Sequence, residues 1–203
     1  FAAPDARVLA VDDNRMNLSV ISGLLKRNGI SPDVAFGGAE ALELCKKNKY
    51  DLIFMDHMMP YPDGIETLHQ IRNGKDVNKE TPIVVLTANA VSGARKKYLD
   101  EGFDDYLSKP VDVNKLEAVL LQYLPVEMQI LREVTQKVEG ARKMNDVLSE
   151  KELIDKSLGM HYCGGSEELY REILQSFYTE SIKYQARLEE LYKEKSWKDY
   201  AIT

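Results

Sequence analysis

The chain has 203 residues, 44% hydrophobic and 30% charged, with 27 basic and 33 acidic side chains and a net charge of −6. That length allows one large domain, or a medium domain with a smaller one beside it. It contains no run near the ~18 apolar residues of a membrane span, no basic start or apolar core of a signal peptide in FAAPDAR, and no cysteine spacing for a metal or disulfide framework.

In chain order, the first apolar run is VLAV (8–11), followed by a helical face of Leu18, Ile21, Leu24 and Leu25. A weaker strand is expected near 32–36, then a helix with Ala41, Leu42 and Cys45 inward, Cys45 reading as a reduced core thiol. LIFM (52–55) precedes a helix marked by Ile65, Leu68 and Ile71, and IVVL (83–86) forms the next run. A second weak strand is expected near 104–107, and Leu116, Val119, Leu120 and Tyr123 mark the last helix before Leu124-Pro125. Short, wholly apolar runs suit strands buried on both faces of a parallel sheet. A strand-helix unit occurring five times in about 125 residues predicts a doubly wound α/β domain with right-handed crossovers, whose chemistry collects at the carboxyl ends of the strands.

The polar residues following those runs carry the chemistry. Asp12-Asp13 end the first strand, Asp56 the third, Thr87 the fourth, and Lys109-Pro110 follow the fifth. On a parallel sheet these converge at one edge. Three carboxylates side by side repel and raise one another's pKa unless a cation intervenes, so a hard divalent metal, Mg²⁺ (or Mn²⁺), is expected there. Mg²⁺ favours one or two carboxylates together with waters and phosphoryl oxygens, which points to phosphoryl chemistry. Asp56, the single carboxylate on the central strand, is the candidate nucleophile for an aspartyl-phosphate. Asp12 and Asp13 would hold the metal, Lys109 would neutralise one phosphoryl oxygen, Thr87 would donate to another, and the small Ala88 would leave room for the group.

At these residues the sequence resembles the receiver domains of two-component response regulators and hybrid histidine kinases. VDDN (11–14), MDHMMP (55–60), DGIE (63–66), LTA (86–88) and YLSKP (106–110) match that family's motifs in order and spacing. The resemblance implies a five-stranded parallel sheet in the flavodoxin-like order 2-1-3-4-5 over residues 6–124. It implies phosphorylation of Asp56 by a phosphohistidine-bearing kinase or phosphotransfer domain, with Mg²⁺ held by Asp12, Asp13, Asp56 and the backbone carbonyl of Met58. It also implies a switch through Thr87 and Tyr106 that alters the surface of helix 4, strand 5 and helix 5, and a cis Lys109-Pro110 peptide bond. Met58 and Asn89 are expected to tune the lifetime of the phosphorylated state, apolar Met58 by shielding it from water. PYPDG (60–64) departs from the family in its second proline, which would stiffen the loop.

Beyond Pro125 the composition turns helical. Residues 125–148 read as a partly helical linker, with Ile130, Val134 and Val138 at i+4 spacing. Ser149 and Glu152 read as a capping box for a short helix that Gly159 stops, and Ser166 as the start of a long helix with Tyr170, Ile173, Leu174, Phe177, Tyr184, Leu188 and Leu191 on one face. Ser196 and Asp199 would open a further helix. Segment 160–180 resembles the opening of a histidine-containing phosphotransfer domain, so residues 149–203 are expected to be the truncated, all-α start of one, without its acceptor histidine. Of the three histidines, His57 is given a backbone role at most, His69 an outward place on the third helix, and His161 a turn between glycines. The apolar stripe of the long helix would be core or a site of self-association.

The whole then reads as a cytoplasmic piece of a longer chain, a phosphoacceptor with self-dephosphorylation whose parent is a hybrid sensor histidine kinase, possessing a membrane anchor elsewhere. Residues 1–125 and 126–203 each carry −3, which leaves no basic surface for nucleic acid, and this piece is expected to make no membrane contact. The competing readings are a metabolite phosphatase or phosphotransferase using an aspartyl-phosphate, a flavin or nucleotide domain, a DNA-binding regulator, and an interaction module that is not phosphorylated. The first wants an acid where Met58 stands, the second a Gly-rich loop where the chain has DDNRMN, and the third a basic helix.

Overall fold

A computed structural model describes residues 1–74, 77–88, 94–130 and 155–193. The apolar runs become strands β1 (Val8–Val11), β3 (Leu52–Asp56) and β4 (Ile83–Thr87), each buried throughout, and the two weaker ones become β2 (Asp33–Ala35) and β5 (Asp105–Ser108). All neighbours pair in parallel, in the order β2-β1-β3-β4-β5.

Alternation along the strands supplies two cores. Val8, Ala10, Phe54, Val84 and Leu86 face helices α1 (Arg15–Lys26) and α5 (Val113–Tyr123), whose Leu18, Ile21, Leu24, Leu116 and Leu120 cover them. Leu9, Val11, Ile53, Met55 and Val85 face α2 (Gly38–Lys47), α3 (Gly64–Asn73) and α4 (Ala94–Glu101), which contribute Ala41, Cys45, Leu68, Ile71 and Tyr98. Cys45 is buried and outside any disulfide, as its helical spacing predicts.

The chain before β1 and after α5 closes on the same unit: Ala2 forms an antiparallel bridge with Ile130, and Ala3 is fully buried. Lys109-Pro110 is cis, and so is Tyr61-Pro62 in the loop where the extra proline stands.

Helix α6 spans Lys156–Tyr162 and α7 spans Glu167–Lys193. Ser166 opens α7 as expected, its Oγ accepting from the Leu169 N–H at 3.2 Å. The reading of Gly159 as a stop is corrected. Gly159 lies inside α6, where a Cβ would run into the Tyr170 ring, and the helix ends instead at Gly164 and Gly165, both at positive φ. Asp155 caps α6, accepting from the Leu158 N–H at 2.9 Å. Ser149, Glu152, Val134, Val138, Ser196 and Asp199 lie outside the described residues. Leu169, Tyr170 and Cys163 form a small core of their own, and α7 packs on α1.

Candidate functional site

Hydrogen bonding continues one residue past β1, β3 and β5 and fixes the polar residues at the carboxyl edge. The N–H of Asp12 donates to Ala35 O at 3.1 Å, that of His57 to Leu86 O at 3.1 Å, and that of Lys109 to Thr87 O at 2.8 Å. Asp12 is fully buried and accepts three hydrogen bonds. Its Oδ1 accepts from the Asn14 N–H at 2.9 Å and Asn17 Nδ2 at 3.0 Å, and its Oδ2 accepts from Lys109 Nζ at 2.6 Å. The same Lys109 Nζ lies 2.8 Å from Asp56 Oδ1. Asp13 is exposed, and one carboxylate oxygen from each of Asp12, Asp13 and Asp56 lies within 4.8 Å of the others.

Burial pushes the Asp56 carboxyl above its usual range. The hydrogen bond and charge of Lys109 pull it back, the charge of Asp12 adds to the rise, and a backbone hydrogen bond from Met58 lowers it. One ammonium against three carboxylates leaves two negative charges uncompensated. A cluster of hard oxygen donors with that deficit suits a divalent cation of the Mg²⁺ type.

Gly64 keeps the end of β3 in place from the α3 side. Its N–H donates to His57 O at 3.2 Å, and a Cβ there would strike the Asp56 carbonyl. Asp63 caps α3 by accepting from the Glu66 N–H at 2.9 Å.

Thr87 ends β4, buried at the same edge, with exposed Ala88 beside it. Its Oγ1 lies 2.9 Å from the hydroxyl of Tyr98 on α4, and that hydroxyl lies 2.7 Å from His57 Nδ1. Sequence reasoning missed Tyr98, because α4 carries little periodic apolar signal. The restriction of His57 to a backbone role is corrected as well, since its ring takes part in this chain. Tyr106 is half-buried on β5 and packs against the core beneath α2 to α4. The Met58 side chain is 72% exposed, and Asn89 lies outside the described residues.

His69 is partly exposed on α3, its Nε2 meeting Glu101 O at 3.1 Å. His161 is corrected from a turn to the last turn of α6, where its Nε2 lies 3.9 Å from Asp112 of α5's cap. No helix among the described residues is long and apolar enough to cross a membrane.

Residues 8–121 match the family model described as the response regulator receiver domain. The chain is 34% identical over 171 residues to the signal transduction histidine-protein kinase BarA of Escherichia coli, covering 83% of this chain and 18% of the relative's length. Among solved structures it is similar to the receiver domain of the sensor histidine kinase PA1611 of Pseudomonas aeruginosa, which has a magnesium ion coordinated in its active site cleft (33% identity, TM-score 0.53, 58% of this chain and 96% of that one). It is also similar to a chain of the Saccharomyces cerevisiae complex between the histidine phosphotransfer signalling protein Ypd1 and the receiver domain of its downstream response regulator Ssk1 (31% identity, TM-score 0.56, 64% of this chain and 96% of that one). With the parallel sheet and its acidic edge, these matches establish that the chain belongs to the response regulator receiver domain family.

Proposed function

We propose that Asp56 is the phosphoacceptor of this receiver, taking a phosphoryl group from a phosphohistidine on a kinase or phosphotransfer domain. The observation that carries the reading is the convergence of Asp12, Asp13, Asp56, Thr87 and Lys109 on one sheet edge, with Lys109 bridging two buried carboxylates. An Asp56 carboxylate oxygen attacks phosphorus; the new P–O bond forms as the P–N bond breaks, and the electron pair returns to the donor imidazole. Lys109 Nζ, already at the acceptor oxygen, would follow the charge onto a phosphoryl oxygen, and Thr87 Oγ1 would donate to another. Asp12, Asp13, Asp56 and the Met58 carbonyl would hold Mg²⁺ (or Mn²⁺), which when bound supplies charge neutralisation to the phosphoryl oxygens. Water then attacks phosphorus, releasing inorganic phosphate and returning the carboxylate, at a rate that Met58 and Asn89 would tune.

Movement of Thr87 and Tyr106 would carry the modification to the surface of α4, β5 and α5. The BarA match, longer than the receiver match alone, supports a hybrid histidine kinase parent, a linker at 125–148 and a phosphotransfer-like helical module at 149–203. A cytoplasmic location follows from that parentage. Exposed Phe177, Tyr178 and Ile182 on α7 suit self-association of that module.

Incubating the chain with Mg²⁺ and acetyl phosphate, followed by intact-mass measurement, tests the acceptor. One phosphoryl adduct is expected on the wild type and none on Asp56→Asn; an adduct that survives the substitution overturns the assignment.

A further inference from the structure

Behind the acceptor, three polar groups from three different segments make a continuous chain: Thr87 Oγ1 to the Tyr98 hydroxyl at 2.9 Å, and that hydroxyl to His57 Nδ1 at 2.7 Å. Thr87 and Tyr98 are buried. The Tyr98 ring is seated edge-on between the His57 ring, centroids 5.2 Å apart at 88°, and the Phe103 ring, 6.0 Å at 87°. Such contacts hold the hydroxyl at a fixed point rather than letting it sweep. His57 directly follows the acceptor, and its own backbone is pinned to Leu86.

We propose that Tyr98 is a positioning residue for Thr87, and that a phosphoryl group on Asp56 sets the direction of the whole chain so that His57 carries its ring proton on Nδ1. The inference rests on the reading of Asp56 as acceptor and Thr87 as donor to the phosphoryl group. The number of hydroxyl protons sets the direction. A threonine hydroxyl has one proton and a tyrosine hydroxyl has one. Once the Thr87 proton points at a phosphoryl oxygen, the Thr87–Tyr98 bond needs the tyrosine proton. Tyr98 then has none left for His57, so that bond needs a proton on Nδ1. Without the phosphoryl group the chain is free to run the other way, with Nδ1 as acceptor. Donors aligned in one direction polarise one another, so the aligned chain strengthens the terminal Thr87 donation. It also ties α4, which supplies Tyr98, to the chemical state of Asp56.

The test uses the full chain with ¹⁵N-labelled histidine at about pH 8, where an ordinary imidazole is neutral. Spectra are taken with Mg²⁺ alone and with Mg²⁺ and beryllofluoride as the phosphoryl mimic, His57 being assigned by its loss in His57→Phe. In the loaded wild type, His57 Nδ1 is expected at the shift of a protonated ring nitrogen, and in loaded Tyr98→Phe at that of an unprotonated one. An unprotonated Nδ1 in the loaded wild type, or the same protonation in Tyr98→Phe, overturns the proposal.

Rates of adduct formation with acetyl phosphate give a second readout. Tyr98→Phe and His57→Phe are each expected to slow phosphorylation by about threefold to tenfold, the worth of one hydrogen bond. Their double variant should be no slower than the slower single one, and in a Thr87→Ala background Tyr98→Phe should add nothing. Additive losses, or an unchanged rate in Tyr98→Phe, count against the chain. An Asp56-dependent adduct with an unprotonated Nδ1 defeats this inference alone, whereas absence of the adduct defeats the acceptor reading and this inference with it.

Discussion

At Lys109 a single ammonium, itself only 21% exposed, satisfies two carboxylates that are almost entirely buried. Removing one partner of such a group leaves charge uncompensated in a poor solvent for it, which costs about 3 kcal/mol or more. Lys109→Met is therefore expected to lose about 3 kcal/mol in urea denaturation without metal. Saturating Mg²⁺ should recover most of that loss, because the cation replaces the missing positive charge; no recovery would count against the carboxylates as a metal cradle. Tyr50 makes a different demand. Its side chain is buried, its hydroxyl donates to Asp33 Oδ2 at 2.8 Å, and its pKa is raised to about 12, first by burial and then by Asp33. The folded chain keeps this proton after the unfolded chain has released it near 10.0, so its stabilising contribution is full below that value. It is lost as pH climbs towards about 12. Melting curves across that interval should show stability falling with pH, and Tyr50→Phe should flatten the slope.

At the scale of elements, α3 starts against the backbone at the end of β3, and Gly64 makes that approach possible. A methyl group there would meet the Asp56 carbonyl and the His57 Cα, neither of which can yield without moving Asp56. Gly64→Ala should cost about 2 kcal/mol by the overpacking mechanism, despite the better helix propensity of alanine, and should also slow phosphorylation by acetyl phosphate. A stabilised variant with an unchanged rate would place the tight contact elsewhere. The three fully buried strands were legible because their runs VLAV, LIFM and IVVL admit no polar face, and the parallel order they imply brings the polar residues that follow them to one edge. Helix α4 was not, since in ARKKYLDE residues 95–97 and Asp100 are exposed and, among the described side chains, Tyr98 alone is buried. The hydroxyl chain from Thr87 was hidden for the same reason: its three members are 11 and 41 residues apart and meet only across the sheet edge. Gly159 misled because a glycine that admits a neighbouring ring and one that ends a helix look alike in sequence.

Over the whole molecule, the α6 and α7 pair is joined to the receiver through α1, at a place where α1 lacks a side chain. Leu169 sits over Gly23, and the turn at Gly164 lies against the Arg27 side chain. Further along, Arg15 at the start of α1 shares a groove with Arg171, Glu172 and Gln175 of α7. The helix therefore runs beside the edge that carries Asp12 and Asp13. Beyond this contact the described apolar side chains of α7 have little cover, as Phe177, Tyr178, Ile182 and Tyr184 are each at least half exposed. Gly23→Glu would place a charged side chain where Leu169 packs while giving α1 about 0.5 to 1 kcal/mol of helix propensity. The receiver unit should keep or gain thermal stability, and its rate with acetyl phosphate should stay unchanged, since Gly23 lies apart from the carboxylates. Amide exchange at Leu169, Tyr170 and Ile173 should rise, because their burial depends on the small core that α1 supports. Unchanged exchange there would mean that α6 and α7 hold together without α1, and that the contact over Gly23 contributes nothing to their order.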